Sequence, residues 1–129
     1  MKNFKGIALL VALFAINNVA IAGQQRLSSG TMKFIDDSKK KGMGFYFERG
    51  LMREDWLNSA AGSILYGAEL TAKNKDSVIQ KLNQMVDILV GAPLRSNQKI
   101  TDDQYASIID TLSAQIEDFV NAHVGELFI

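Results

Sequence analysis

The chain has 129 residues, of which 14 are basic and 14 acidic, so its formal net charge is zero at neutral pH. It contains no cysteine and one histidine, which excludes disulfide scaffolds, thiolate metal sites, a lipidated cysteine anchor and a cysteine nucleophile. With 47% hydrophobic and 22% charged residues, the composition is that of a globular protein, and the balanced charge does not favour general nucleic-acid binding.

The first 22 residues are typical of a cleaved secretory signal peptide. Two lysines open the segment, residues 7–16 form an unbroken apolar run, and Ala20 and Ala22 place small side chains before the expected cleavage point. Two asparagines end the apolar run too early for a membrane anchor, which needs about 20 apolar residues. Residues 23–129 are therefore expected to form a single domain, and the short signal without cysteine favours a Gram-negative periplasm.

The segment 27–50 is predicted to begin with one helix. Ser28 or Ser29 can cap its start, and the lysines at 39–41 complement the helix dipole at its end. Residues 45–47 then form a short helix or a brief strand, which the sequence does not decide. The side chains that this first helix turns inward are expected to be Met32, Phe34 and Ile35.

A second helix is predicted over residues 53–73, ending near Asn74. Ser59, Ser63 and Gly67 recur every four residues and form a stripe of small side chains on this helix. Small side chains allow another helix to approach closely. The stripe therefore indicates either packing inside the domain or the interface of a homodimer.

A third helix is predicted over residues 78–90. Ser77 and Gln80 have the spacing of a capping box, and Gly91 is expected to end the helix in a left-handed conformation. Residues 92–100 are then expected to be a loop, the most polar loop of the protein.

The last helix is predicted over residues 101–128, with Thr101 and Gln104 as its capping box. Apolar residues recur at spacings of three and four along its length, and no segment alternates in the manner of a strand. The fold class is therefore predicted to be all-α, a compact bundle of four to five helices with a long C-terminal amphipathic helix. The apolar face of this last helix comprises Tyr105, Ile108, Ile109, Leu112, Ile116, Phe119, Val120, Val124, Leu127 and Phe128.

Searching the residues for catalytic chemistry gives no candidate. Ser63 lacks the G-x-S-x-G setting of a nucleophilic serine, and His123 has apolar neighbours one turn away on either side, at the edge of a buried face. One histidine cannot assemble a zinc site, and the acidic pairs lack the spacing of a calcium loop. We therefore expect no catalytic residues, no metal and no cofactor.

Two segments resemble the Tai-type immunity proteins, periplasmic helical proteins that neutralise type VI secretion amidase effectors. Residues 62–69 (GSILYGAE) look like their small-residue helix, and residues 100–104 (ITDDQ) look like the segment before their later helices. The resemblance implies a helical homodimer that plugs a toxin's active-site cleft with a protruding loop. On this chain the matching loop is 92–100, and the implied partner-binding residues are Arg95, Asn97 and Gln98.

The sequence thus favours an exported, non-enzymatic binding protein, most concretely an immunity or inhibitor protein that occludes a cell-wall-degrading effector. Its partner would be a protein, such as a secreted hydrolase, rather than nucleic acid, and it would carry no integral membrane anchor. The alternative is a periplasmic carrier or chaperone-like protein whose methionine and phenylalanine side chains line an apolar cavity.

Overall fold

A computed structural model describes residues 26–42, 47–48, 51–97 and 99–129, so the predicted signal peptide lies outside the described residues. The described chain is all-α with one very small hairpin, as predicted. No helix within these ranges is both long enough and apolar enough to cross a bilayer. The elements are α1 (Ser29–Lys41), β1 (Phe47–Glu48), β2 (Leu51–Met52), α2 (Glu54–Leu65), α3 (Lys75–Val86), a π-helical turn (Asp87–Gly91), α4 (Ala92–Arg95) and α5 (Asp102–Ala122).

Helix α1 forms as its capping residues predict. The Ser28 hydroxyl accepts a hydrogen bond from the Thr31 amide at 3.1 Å, which satisfies one of the donors left open by the first turn. The hydroxyl of Thr31 in turn donates to the carbonyl of Ser63 at 3.2 Å, tying α1 to α2. Ile35 is fully buried, but Met32, which was expected to face inward, is exposed.

Of residues 45–47, predicted as a short helix or a brief strand, 45 and 46 lie outside the described residues and Phe47 lies in a strand. β1 and β2 pair antiparallel, with Phe47 opposite Met52. The Met52 amide donates to the side-chain carbonyl of Gln115 at 2.8 Å, which fixes the hairpin to α5. Phe47 also lies beside Trp56, with ring centroids 6.0 Å apart.

Helix α2 is shorter than predicted, because the helix over 53–73 ends at Leu65. Tyr66 and Gly67 both adopt left-handed backbone angles, with φ of 54° and 87°, and turn the chain out of the helix. The following residues are extended, and the Leu70 amide donates to the Glu126 carbonyl at 2.9 Å. This pairing with the C-terminal segment prevents the helical continuation that the apolar spacing suggested.

Helix α5 has the predicted capping box, since Thr101 and Gln104 each accept a hydrogen bond from the other's backbone amide. The helix ends at Ala122 instead of residue 128, and Gly125 takes a φ of 99° in the turn that follows. Phe128 still reaches the core, but Val124 and Leu127 are exposed rather than buried. The chain leaves the helix in a turn that contains Val124 and is extended at Leu127, so the helical spacing assigned these side chains wrongly.

Helix α3 begins at Lys75, three residues before its predicted start. The Asn74 amide donates to the Thr71 hydroxyl at 3.2 Å, and the Thr71 amide donates to the Asn74 side-chain carbonyl at 2.8 Å. These two reciprocal hydrogen bonds form a turn that reverses the chain directly before the first residue of α3. Ser77 consequently lies inside α3, and the predicted Ser77–Gln80 capping box is wrong.

The core lies among α1, α2, α3 and α5, and α3 packs most extensively on α5. Its largest buried side chain is Trp56, whose indole N–H donates to the Ser38 hydroxyl at 3.0 Å, with both side chains buried. Phe34 packs on the same indole at 5.7 Å between centroids. The buried apolar residues are Ile35, Met52, Trp56, Leu57, Ala60, Ala61, Leu70, Val78, Leu82, Met85, Val86, Leu89, Val90, Leu112, Ile116, Phe119, Val120 and Phe128.

The buried hydrogen bond between Trp56 and Ser38 predicts that two serine substitutions in α1 differ in their effect on stability. Ser38→Ala leaves the indole N–H without this partner in the core, so we expect it to destabilise the fold by about 1–3 kcal/mol. Ser29→Ala, at an exposed helical position, should change stability by less than about 0.5 kcal/mol. Urea denaturation of both variants measures the difference, and equal stabilities would contradict the role given to Ser38.

Candidate functional site

The predicted loop 92–100 begins as helix, which corrects two expectations. Gly91 has a helical φ of −61° and does not end α3. Instead the Ala92 amide donates to the carbonyl of Asp87, five residues back, and the chain continues into α4 as far as Arg95. Pro93 has no amide to donate and its ring would collide with the carbonyl of residue 89 in a regular α-helix. The wider turn accommodates this proline.

The π-helical turn brings Asp87 against Gly91. A Cβ atom built on Gly91 would collide with the Asp87 carboxylate and would lie 3.4 Å from the Tyr105 hydroxyl. The helical φ of Gly91 does not itself require glycine, and a larger residue here would displace the end of the exposed Asp87 side chain. Turns of this kind are rare and often occur at functional sites.

Arg95 completes this arrangement from the last turn of α4. Its Nη1 donates to Asp87 Oδ1 at 3.0 Å and to the Tyr105 hydroxyl at 2.6 Å, and its Nη2 lies 3.4 Å from Asp87 Oδ2. The guanidinium carbon also lies 5.7 Å from the centre of the Tyr105 ring. We call Asp87, Gly91, Arg95 and Tyr105 the Arg95 cluster. It joins the π-helical turn, α4 and α5 at a half-exposed surface.

The electrostatics of the Arg95 cluster keep the arginine charged and the tyrosine neutral. The hydrogen bond that Arg95 donates to Asp87 raises the pKa of the guanidinium above its usual value, although burial opposes this effect. Burial raises the pKa of the Tyr105 hydroxyl above its ordinary 10.0, and the positive charge of Arg95 acts in the opposite direction. At neutral pH the cluster is therefore an ion pair beside a neutral phenol.

The segment after α4 is held by its own hydrogen bonds. The Asn97 amide donates to the Leu94 carbonyl at 3.0 Å, and the Asn97 side-chain carbonyl accepts from the Lys99 amide at 3.0 Å. The Ile100 amide donates to the Asn97 carbonyl at 3.1 Å, directly before the capping box of α5. Asn97 therefore fixes a tight turn.

The three residues predicted to bind a partner have different positions. Arg95 lies in the Arg95 cluster, and Asn97 is exposed in the tight turn that follows it. Gln98 lies outside the described residues. Asp87, Gly91 and Tyr105 were missed by sequence reasoning, although Asp87, Gly91 and Arg95 recur every four residues and this spacing was an available signal.

The predicted small-residue stripe does not lie along one helix. Ser59 is exposed on α2, and Ser63 is half-buried, with its hydroxyl donating to the Ala60 carbonyl at 2.7 Å. Gly67 lies beyond the end of α2. Because the Ser63 carbonyl accepts from Thr31, the middle of the stripe lies at the contact between α1 and α2.

His123 lies at the edge of the core, where its apolar neighbours predicted it. Its ring centroid is 4.3 Å from that of Phe119, while its Nδ1 lies 2.9 Å from a Glu126 oxygen and its Nε2 lies 3.6 Å from a Glu54 oxygen. The two carboxylates flank opposite sides of the ring. Within the described ranges, no three histidine or acidic side chains are placed to hold a metal ion.

Comparison with known proteins gives no relative: no family model, curated protein or solved structure matches this chain. The function proposed below therefore rests on the geometry of the Arg95 cluster and on the sequence features described above.

The contact at Gly91 predicts a local effect of substitution on the Arg95 cluster. Gly91→Ala should displace the Asp87 carboxylate, because the new methyl group overlaps the end of that exposed side chain. Arg95 then loses its partner in a half-exposed ion pair, so the variant should lose at most about 1 kcal/mol of stability. Gly62→Ala is the matched helical control, since a Cβ there would make only ordinary contact at 3.8 Å, and it should be neutral or stabilising by up to about 1 kcal/mol. Thermal unfolding compares the two variants, and a Gly91→Ala variant stabilised as much as Gly62→Ala would contradict the contact described.

The raised pKa of Tyr105 predicts a loss of stability in alkaline solution. A group that is protonated more tightly in the folded state gives its full stabilisation below the unfolded pKa of 10.0 and loses it as pH rises toward the folded value. We expect the difference in tyrosinate absorbance between the native protein and Tyr105→Phe to show a midpoint above pH 10.0. Arg95→Met should raise this midpoint further by removing the nearby cation. A midpoint below pH 10.0 would contradict the assignment.

Proposed function

We propose that this protein is an exported, non-enzymatic binding protein, most concretely an immunity or inhibitor protein that occludes the active site of a cell-wall-degrading effector. The observation that carries the proposal is the Arg95 cluster, which holds a half-exposed arginine in one orientation directly before a tight turn. The partner-binding surface would comprise Arg95, Asn97 and Gln98.

Fixed geometry supports a binding role because ordering a flexible side chain or loop costs free energy on association. Each rotamer-rich side chain immobilised at an interface costs about 0.5–1.5 kcal/mol. In this protein Asp87 and Tyr105 already fix the Arg95 guanidinium, and the backbone bonds of Asn97 already fix the turn. Arginine and tyrosine are also enriched among the residues that dominate binding energy. The surface is therefore suited to a tight complex.

The remaining support comes from the sequence. The first 22 residues are typical of an export signal, and this supports a proposed partner in the periplasm. The resemblance to the Tai-type immunity proteins adds the expectation of a homodimer. An inhibitor of this kind requires rigidity and a complementary surface, and it needs no catalytic residue, metal or cofactor.

The alternative, a carrier for an apolar ligand, is less well supported. Two of the methionines that suggested an apolar cavity, Met52 and Met85, are buried in the hydrophobic core and pack among its aliphatic residues. Met32 is exposed on α1 rather than gathered with them. The positions of Met52 and Met85 are those of residues that fill the interior.

The test begins with recovery of the protein, expressed with its own leader, from the periplasm of its host under gentle conditions. We expect mass spectrometry to identify a stoichiometric cell-wall hydrolase, and we expect the purified protein to inhibit that enzyme's release of peptidoglycan fragments at a one-to-one ratio. Arg95→Ala should weaken the complex at least about thirtyfold, the loss typical of a dominant interface residue.

Two variants serve as controls for this measurement. Arg26→Ala removes an exposed arginine outside the helices and should leave affinity within about twofold of the native value. Asn97→Asp keeps the side-chain oxygen that accepts from the Lys99 amide but adds a negative charge. It therefore separates the effect of losing the turn from the effect of losing a contact with the partner. Co-purified lipid without a protein partner would instead favour a carrier, and a hydrolase bound equally well by Arg95→Ala would refute the assigned surface.

A further inference from the structure

The C-terminal segment forms one side of a short antiparallel pairing whose other edge is open. Leu127 is directly opposite Glu69, and hydrogen bonds flank this pair, from the Leu70 amide to the Glu126 carbonyl and from the Phe128 amide to the Ala68 carbonyl. In this pattern the amide and carbonyl of Leu127 point away from Glu69. Within the described part of the chain, neither of these groups makes a hydrogen bond.

Exposed apolar side chains accompany this open edge. Leu127 is 61% exposed, Tyr66 is 92% exposed, and Ile129 is fully exposed. The Ile129 carbonyl lies against Gly62. The Gly62 carbonyl accepts a hydrogen bond from the Tyr66 amide at 2.8 Å. The end of α2 and the C-terminal segment therefore lie together. Within the described ranges, these three residues and Val124 are four of the six exposed large hydrophobic side chains. We call Tyr66, Leu127 and Ile129 the Leu127 edge.

Tyr66 holds its ring outward at an energetic cost. It is the one residue other than glycine in the described chain with a positive φ, and its φ and ψ of 54° and 53° are those that glycine or asparagine normally supplies. Strained backbone of this kind is concentrated at functional positions. A glycine would make the same turn without presenting an aromatic ring, so the turn alone does not explain a tyrosine.

The negative charges beside the Leu127 edge favour a basic strand over a second copy of this chain. Glu69 lies across from Leu127, Glu126 precedes it, and both are exposed. If a second copy paired with this edge about Leu127, the two Glu126 side chains would be diagonal neighbours roughly 7–8 Å apart on one face. This distance is within the screening length of about 8 Å at physiological salt, so they would repel. A strand that carries lysine or arginine would instead be attracted.

We propose that the Leu127 edge is a second protein-binding surface, which adds an extended basic segment of a partner protein as a β-strand. The partner backbone pairs with the amide and carbonyl of Leu127, and its apolar side chains cover Leu127, Ile129 and Tyr66. Because alternate residues of a strand point to opposite faces, its cationic side chains lie on the face of Glu126, opposite the face that Leu127 shares with Glu69. This surface is separate from the Arg95 cluster and does not depend on the function proposed for it.

The test is a titration of the purified, isotope-labelled protein with a short blocked peptide in which lysine and valine alternate, followed by amide resonances. We expect the resonances of Leu127, Ile129 and Tyr66 to shift, and the Leu127 amide to exchange more slowly with solvent. A peptide with proline in place of alternate valines cannot donate its backbone hydrogen bonds and should not bind. A peptide with glutamate in place of lysine should bind at least about twofold more weakly, given the usual size of cross-strand charge effects.

Two leucine variants make the test specific to this edge. Leu127→Lys should weaken peptide binding at least about tenfold, because it replaces the central apolar side chain with a like charge. Leu51→Lys changes a leucine of similar exposure, 55%, on the β1–β2 hairpin and should leave binding unchanged. Glu126→Lys should reverse the preference between the lysine and glutamate peptides.

Three outcomes would overturn the proposal. The first is an absence of shifts at Leu127 at millimolar peptide, and the second is a set of shifts confined to the β1–β2 hairpin. The third is a dimer in analytical ultracentrifugation without peptide that Leu127→Lys dissociates, since the occupant would then be a second copy. An unchanged peptide affinity in Arg95→Ala is expected, so this surface can fail or succeed independently of the inhibitor function.

Discussion

The carboxylate of Asp87 lies where a side chain at residue 91 would stand, and the same carboxylate pairs with Arg95, so the π-helical turn and α4 are joined at one point. The helix widens in the π-helical turn without breaking and continues past Pro93, and Arg95 then lies back against Asp87. The same turn keeps Leu89 and Val90 in the core while exposing Asp87. The π-helical turn therefore contributes side chains both to the core and to the Arg95 cluster.

The Arg95 cluster adds polar contacts between elements that also meet in the core through Leu94 of α4 and Ile108 of α5. Tyr105 lies in the first turns of α5, so its hydrogen bond with Arg95 links α4 to the helix that packs most extensively on α3. The tight turn at Asn97 shortens the connection between α4 and α5, and the Thr101–Gln104 capping box begins α5 immediately afterwards. A short connection with fixed ends presents its exposed side chains at low entropic cost.

The apolar periodicity predicted the all-α class and the existence of each long helix, because amphipathic spacing reflects burial directly. The periodicity misplaced the ends of α2 and α5, because contacts between distant segments override the local spacing there. Leu70 and Phe128 have spacings compatible with α2 and α5, but both are buried by an antiparallel pairing between segments far apart in sequence. The left-handed backbone of Tyr66 is likewise not predicted by residue propensities, which assign such angles to glycine.

The candidate site was predicted only in part, for a similar reason. Arg95 and Asn97 stand out as polar residues in a segment between two helices, and the structure places both at the surface. Their partners Asp87 and Tyr105 look like ordinary members of two amphipathic helices. Pro93 and Gly91 together have the usual pattern of a helix end, and the widened turn reverses that interpretation because the glycine is used for close packing. The sequence alone does not distinguish these two uses of glycine.

The pairing of Arg95 with Asp87 also limits the chemistry that its surface can recognise. An arginine has five N–H donors, and three bonds to Asp87 and Tyr105 leave part of the guanidinium open. Asp87 already compensates the positive charge, so an incoming carboxylate would face an acidic neighbour and gain little. A neutral acceptor such as a backbone carbonyl would meet donors that are already oriented, without this repulsion. The guanidinium is therefore better placed to donate to a neutral backbone carbonyl than to pair with an anionic group.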